Sequence, residues 1–499
     1  MLCFLMAKTL EVSSAKVADL EAENDRLKLR IRLLEKALLG PKSERLIGLD
    51  KNQPEFEELV KELDSLSEEL DQQQEEVTQQ RNPRRKMKAS LKDLIPDDLP
   101  EEEILLDISE EEKEGLVQIG EERSRKLAKK PASYYVKIYV RPKYADKKDS
   151  TSAILISDLP DFAIPGSQFD ESIIADIAVN KYAYHLPLYR LEEKMKYEGI
   201  PVSRQTLSNL IIRGAEVLKP LYDELKKQTL SRGVIFTDDT PVKLQVKGKG
   251  KKGLTTGRIW VYVAGGVGPP MKVFEFTKDR QKIRPKEFLG DYKGYIHADA
   301  YSGYDTLFTS DDVHECACWM HVRRKFIEAE DAPVDFRQKI LRLIRNLYRY
   351  ERIGKRMTPE KRLELRQEKI KPLINEFFRY IEGKMINGPI ILPKSRIGNA
   401  LNYTIKLKEA LMTFLQDPRL EPDNGESERS IRPMTIGRKN WLFMGSKNGG
   451  DATALWASII QTCRANDVDP FEYISHVLRK INGYPANKIE ELLPHNFKN

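Results

Sequence analysis

The sequence predicts a mixed α/β protein of several domains. Three observations carry this. Between Gly233 and Trp319 five short β-rich runs follow one another: Val234-Ile-Phe-Thr-Asp238, Ile259-Trp-Val-Tyr-Val263, Met271-Lys-Val-Phe-Glu-Phe276, Tyr295-Ile-His-Ala-Asp299 and Val313-His-Glu-Cys-Ala-Cys318. The sequence on both sides of that block is patterned as helix. The chain has 499 residues, and at roughly 150 per domain this gives about three domains.

At 40% hydrophobic and 32% charged residues, the chain has enough apolar material for a sizeable core. No run of 18 apolar residues occurs, which excludes a hydrophobic spanning helix. Met1–Met6 is too short for a signal-peptide core. Four cysteines exclude a disulfide scaffold and suit a reducing, cytoplasmic setting. The charge is +7, from 84 basic and 77 acidic residues, so any polyanion contact must come from local clustering.

The elements follow in order. Leu10, Val17, Leu20, Asn24, Leu27, Ile31, Leu34 and Leu38 form an a/d seam, with Ser13 its weak position. Asn24 at an a position favours a parallel dimer. The same seam also suits a helix packed on its own domain. A second seam runs from Phe56 to Val77, and Arg81–Lys88 is a basic linker broken by Pro83. Residues 1–88 are therefore expected to be a coiled-coil dimerisation region with a basic linker. Residues 89–166 read as a small α+β module, with Ser133–Val140 a strand and Ile104–Leu106 the apolar cluster.

Residues 167–230 read as helices. A helix over Leu186–Tyr197, a turn at Glu198-Gly199-Ile200 and a helix from Arg204 capped by Ser203 make a helix-turn-helix-like pattern. Arg204, Gln205, Ser208 and Asn209 would face outward to DNA; the alternative is an ordinary helical hairpin. The β-rich block occupies 231–329, with Lys243–Arg258 read as a basic hairpin loop. A helical stretch (330–419), a further segment (420–475) and a C-terminal tail (476–499) complete the chain.

Asp238 and Asp299 each end a β-rich run. Carboxylates on one sheet edge point into a common cleft, where cations are needed to relieve their repulsion. A pair of Mg²⁺ ions about 3.5–4 Å apart would do so and would support phosphoryl transfer, although aspartates at strand ends are also common on plain surfaces. A third acid is available in Leu420–Pro433. There Asp423 or Asn424 can cap a short helix, Glu426 fits a capping box, Glu428 lies in the helix body and Pro433 closes it. Glu428 with Arg432 also fits a surface i,i+4 ion pair. Ile436–Ser446 mixes cations with aromatics, as phosphate and base contacts require, while Trp441 and Phe443 also suit a core. His314, Cys316, Cys318 and His321 invite a zinc reading. Cys316 and Cys318 alternate along one strand, however, which is poor geometry for local chelation with His321. The preferred reading is buried cysteines, with His321, Arg323 and Arg324 beside the cleft.

Thr237-Asp-Asp-Thr-Pro241, Asp299-Ala-Tyr-Ser-Gly-Tyr304, Cys318-Trp-Met-His-Val-Arg-Arg-Lys-Phe326, Asp423–Pro433 and Ile436–Ser446 occur in this order. Together they resemble the DDE transposases of the insertion-sequence-66 family, over nearly the whole chain to about Tyr473. The resemblance implies an RNase H-like catalytic fold, cleavage at transposon ends and strand transfer into target DNA. By motif match it implies Asp238, Asp299 and Glu428 as the catalytic, metal-holding triad, with two Mg²⁺ (or Mn²⁺) ions per site. The gap from Asp299 to Glu428 implies that the helical stretch 330–419 interrupts the catalytic domain.

The DNA-contacting candidates are Arg204, Gln205, Ser208, Asn209, His321, Arg323, Arg324, Arg429, Arg432, Arg438, Lys439 and Trp441. The expected partners are double-stranded DNA (terminal repeats and target), a second copy of the chain and small co-encoded accessory proteins, with no membrane and a nucleoid-associated location. Two departures from the family stand out. Residues 111–155 lack the cysteines of its zinc module, with Asp146 and Asp149 near the expected pair, so no structural zinc is expected. Asp239 replaces a more usual glutamate. Two rival readings are a non-cutting DNA-binding regulator derived from a transposase and a coiled-coil scaffold.

Overall fold

The computed structural model describes residues 134–144, 155–156, 158–246, 253–387 and 391–497, all in the unit Ser133–Asn499. The expected coiled coil and basic linker (1–88), and the 89–166 module up to residue 133, lie outside the described residues.

Val234-Ile-Phe-Thr237 is buried along its whole length because it becomes the middle of a five-stranded sheet. β1 (Lys143–Tyr144) and β2 (Leu155–Ile156) form a separate two-stranded pair. The main sheet consists of β3 (Val234–Gln245), β4 (Leu254–Ala264), β5 (Lys272–Thr277), β6 (Gly294–Ala298) and β7 (Val313–Ala317). Its order is β5-β4-β3-β6-β7. β3, β4 and β5 form an antiparallel meander, and β6 and β7 add parallel strands on the other side of β3.

Two expectations about strands are corrected. Residues 134–140 form no strand; Tyr135, Val136, Ile138 and Val140 are exposed, and without a neighbouring strand their alternation builds no ladder. The expected loop Lys243–Arg258 is also shortened at both ends. β3 and β4 stay paired out to Gln245 and Leu254. Val242 and Leu244 are buried between exposed neighbours, so the β period outlasts the basic composition. Pro241 is tolerated inside this strand because β6 pairs only with Val234–Phe236, leaving β3 with a strand on one side at that level.

Helices cover the sheet. α1 (Glu171–Tyr182), α2 (Leu188–Tyr197), α3 (Arg204–Val217) and α4 (Lys219–Leu230) precede it. Ser203 caps α3 by accepting from the Thr206 amide at 3.2 Å, and Gly199 turns the chain between α2 and α3 at φ +86°. α5 (Ile283–Leu289) connects β5 to β6.

After β7 come α6 (Trp319–Glu328), α7 (Val334–Gly354), α8 (Pro359–Leu365), a π-helical turn at Arg366–Ile370, α9 (Lys371–Asn387), α10 (Arg396–Lys406) and α11 (Lys408–Met412). The chain then returns to the sheet through α12 (Gly425–Trp441). α13 (Lys447–Ala465) is buried almost all round and lies on β5. A Cβ on Gly450 would come within 2.5 Å of the Phe276 ring, so glycine permits this approach.

α14 (Pro470–Lys480) and two 3₁₀ turns finish the unit. Residues 476–497 are not a loose tail. Leu493 is fully buried, and the Tyr473 hydroxyl donates to the Leu492 carbonyl at 2.6 Å. Among the described residues no helix is long and apolar enough to cross a membrane.

Candidate active site

Asp238 lies inside β3 rather than at its end, two residues past the last rung shared with β6. Asp299 follows the last residue of β6. Successive side chains alternate across a sheet, so residues two beyond the Phe236–His297 rung, Asp238 and Asp299, come out on the same face as that pair. Burial, with added repulsion from Asp299, Asp239 and Glu428, pushes the Asp238 carboxyl up to about 7, against the Asp239 amide that donates to its Oδ1 at 2.7 Å.

Asp299 sits at the head of a built loop. Its Oδ1 accepts from the Tyr301 amide at 3.2 Å. Ala300 holds φ +60°, a left-handed conformation that costs a non-glycine residue about 1–2 kcal/mol. Further along the loop, Tyr304 is buried and shares a hydrogen bond with Thr237 Oγ1 at 3.0 Å, which fixes the loop to β3. Tyr301 donates its hydroxyl to the Arg280 carbonyl and lies under the Arg280 guanidinium at 3.8 Å.

Glu428 stands in the first turn of α12, not in its body. Pro433 does not close that helix, which continues to Trp441; burial of Ile431, Met434 and Gly437 compensates for the missing proline N–H. The capping box is not used either. Asp423 Oδ1 accepts from the Gly425 amide at 2.9 Å, and Glu426 pairs with Arg429 at 2.7 Å. Asn424 is buried and reaches across to β3, donating from Nδ2 to the Thr237 carbonyl at 2.8 Å. The start of α12 is thereby tied to the strand that carries Asp238.

His321 is half-buried on α6, with Nε2 3.6 Å from Glu428 Oε1. Burial pushes its pKa down, with Arg324 adding to the shift and Glu428 opposing it. Ligand atoms of Cys318, His321 and Glu428 lie within 4.8 Å of one another. Cys316 and Cys318 are both buried, and Cys318 Sγ accepts from the Asn424 amide at 3.3 Å. His314 is exposed.

The remaining DNA candidates divide. Arg204, Gln205 and Asn209 are exposed on α3 and Ser208 half-buried, with Gln205 donating to Asn209 at 3.0 Å. Arg323, Arg324, Arg429, Arg432 and Lys439 are exposed. Arg438 is half-buried and binds Thr240 Oγ1 at 2.5 Å and the Pro241 carbonyl at 2.8 Å, which fastens α12 to β3. Trp441 is corrected from a surface contact to core. It is 9% exposed, with Tyr182 edge-on at 5.5 Å and Lys181 over its ring at 4.6 Å.

Sequence reasoning missed one part of the site. Asp239 is buried beside Asp238 and held by two arginines: Arg258 at 2.9 Å, and Arg280 through Nε at 2.9 Å and a second nitrogen at 2.6 Å. Arg280 also lies 4.0 Å from Asp299. No local pattern marks Arg258 or Arg280, which arrive from β4 and from the turn after β5.

Asp238, Asp299 and Glu428 thus feel one another's charge at one end of a mixed sheet, with the half-buried His321 beside Glu428. Residues 166–452 match the family model described as "Transposase IS66 family", residues 458–495 "IS66 C-terminal element", and residues 26–104 "Transposase C of IS166 homeodomain". Two relatives come from Sinorhizobium fredii (strain NBRC 101917 / NGR234). The protein named y4qI is 31% identical over 99% of this chain and 95% of its own length; y4hP is 28% identical over 95% and 88%. The chain belongs to the IS66 transposase family. That membership supports a transposase role and implies divalent-metal use, and the homeodomain-described match suggests DNA binding.

Proposed function

We propose that this chain is a DDE transposase that cleaves DNA at transposon ends and joins the freed ends to target DNA. Asp238, Asp299 and Glu428 hold its divalent ions. The observation that carries the reading is the electrostatic one. Asp238 is buried among the charges of Asp299, Asp239 and Glu428 and is pushed up to about 7. Such a cluster is costly on its own and favourable around cations. When bound, two Mg²⁺ or Mn²⁺ ions supply activation of a water or 3′-hydroxyl and stabilise both oxygens of an in-line displacement.

The chain's own residues do the rest. Tyr304 and Thr237 hold the Asp299 loop, Asn424 holds the start of α12, and His321 orients Glu428. The catalytic fold is RNase H-like, supported by the antiparallel meander β5-β4-β3 continued by parallel β6 and β7. It is split by the helical insertion of residues 330–419. Residues 1–88 dimerise the chain, and α3 with the exposed cations of α6 and α12 contacts duplex DNA.

The test is cleavage of a duplex carrying the element's ends, with and without Mg²⁺. Asp238→Ala, Asp299→Ala and Glu428→Gln should each abolish cutting while end binding persists. Normal cutting by Glu428→Gln would overturn the triad. A wild-type chain that binds ends but never cuts would replace this reading with that of a regulator.

A further inference from the structure

The outward face of α7 has no role in the site described above, yet its chemistry is specific. Phe336, Ile340, Leu343, Ile344, Leu347 and Glu351 are its buried side. At 3.6 residues per turn, Arg342, Arg345, Arg349 and Arg352 fall within an arc of about 80° on the opposite side. All four are exposed. Among the described residues none of the four has an ion-pair or side-chain hydrogen-bond partner, whereas Lys339 on the same helix pairs with Glu376 at 3.5 Å. The acids of α7 do not interleave with the stripe. Asp335 lies in its first turn, and Glu351 points inward to Arg366 at 2.6 Å.

This is not the pattern of a merely solvated face. Solvated helices alternate acids and bases at i,i+4, and like charges at that spacing destabilise the helix. Here three successive spacings of three or four residues place arginine next to arginine, with no acidic partner among the described residues. An external polyanion would relieve that repulsion. Arginine is also the side chain suited to planar, forked contact with phosphate.

The stripe's position narrows the polyanion. Tyr348, next to Arg349, is half-buried close enough to Asp423 and to Arg323 of α6 for their charges to act on it in opposite directions. Asp423 opens the helix that carries Glu428. The arginines run about 15 Å along the helix, and duplex DNA presents a charge about every 1.7 Å of its axis.

We propose that Arg342, Arg345, Arg349 and Arg352 form a phosphate track for the backbone of double-stranded DNA, extending from the candidate active site along the helical insertion. The proposal rests on reading the chain as a DNA-joining enzyme.

The test uses the full-length chain and fluorescence anisotropy on duplex DNA between 50 and 200 mM salt. Each lost phosphate contact should lower the magnitude of the log K against log salt slope by about 0.9. Arg345→Gln with Arg349→Gln should therefore lower it by about 1.8, and Arg342→Gln with Arg352→Gln by a similar amount. Because all four side chains are exposed and have no partner among the described residues, both variants should melt at or above the wild-type temperature. An unchanged slope in both pairs overturns the track. Tighter DNA binding in both would also overturn it, by showing that the stripe holds an acidic segment of protein instead. Glu428→Gln measured in parallel separates the two readings: it should keep the full slope while losing cleavage, so normal cutting there sinks the triad without touching the track.

Discussion

β6 pairs with β3 at a constant offset of 61 residues, Val234 with Tyr295 and Phe236 with His297; Asp299 follows Asp238 by the same offset (299 − 238 = 61). The two carboxylates thus come off equivalent positions of neighbouring parallel strands. A proton is the natural resident of such a pair until a cation arrives. The Asp238 carboxyl is pushed up to about 7, mainly by burial. A folded-state value above the unfolded one means that this group's contribution to stability is complete below about pH 4 and lost as pH rises through about 7. The expected outcome is a metal-free protein whose melting temperature falls between about pH 4 and pH 7 and levels off above, with Mg²⁺ restoring it near neutral pH. Asp238→Asn should flatten that fall and remove the Mg²⁺ response. A wild-type melting temperature independent of pH and Mg²⁺ over this range would contradict the argument.

His321 faces Glu428 at 3.6 Å and is half-buried, and on the proposed reading it orients that carboxylate more than it contacts phosphate. Partners that orient a metal-holding side chain typically contribute 10–100-fold in affinity or activity. His321→Gln should therefore lower cleavage about 10–100-fold and raise the Mg²⁺ concentration required, with duplex affinity unchanged. Weakened DNA binding at an unaltered Mg²⁺ requirement would return His321 to the DNA surface.

Asp239 balances Arg258 and Arg280 in a buried position, while Arg280 stands 4.0 Å from Asp299. Without the Asp239 charge, Arg280 is left to compete for Asp299. Asp239→Asn should impair cleavage and destabilise the fold by about 1–3 kcal/mol, because the arginines left unpaired are partly exposed. Asp239→Glu should retain most of both, since it keeps the charge. Chemical denaturation together with the cleavage assay checks this; a fully stable, fully active Asp239→Asn would refute it.

How much of this was legible in the sequence varies with the range of the interaction. The five strands were visible because β-rich runs are local, and the aspartates were visible because they end those runs. β3 was underestimated at its far end, where lysines and glycines hide the alternation of Val242 and Leu244. Glu428 was legible only through its motif, since nothing local links α12 to β3; the links are long-range hydrogen bonds, from Asn424 to Thr237 and from Arg438 to Thr240 and Pro241. Trp441 read as a nucleic-acid contact because cations flank it, but Tyr182 of α1 encloses it. The Asp239–Arg280 pair was invisible for the same reason, each partner being ordinary in its own segment.

The segment that delivers Glu428 is held by a buried guanidinium. Arg366, in the π-helical turn between α8 and α9, is fully buried and binds Glu351 through two nitrogens at 2.6 and 3.0 Å. It also donates to the carbonyls of Phe414, Asp417 and Leu420 at 2.7, 2.9 and 2.8 Å. Arg362 adds contacts to Glu351 and Glu421. The insertion therefore grips the strand of chain leading into α12 by its backbone. Arg366→Met removes Arg366's own bonds to Glu351 and to the three carbonyls and leaves Glu351 with Arg362 alone, at an expected cost of about 3–5 kcal/mol. Pairing it with Glu351→Met removes the stranded charge and should recover part of that loss in the denaturation midpoint. Cleavage should not recover, because the carbonyls of Phe414, Asp417 and Leu420 remain without their guanidinium partner. Full recovery of cleavage in the double variant would show that the grip on this segment is dispensable for placing Glu428.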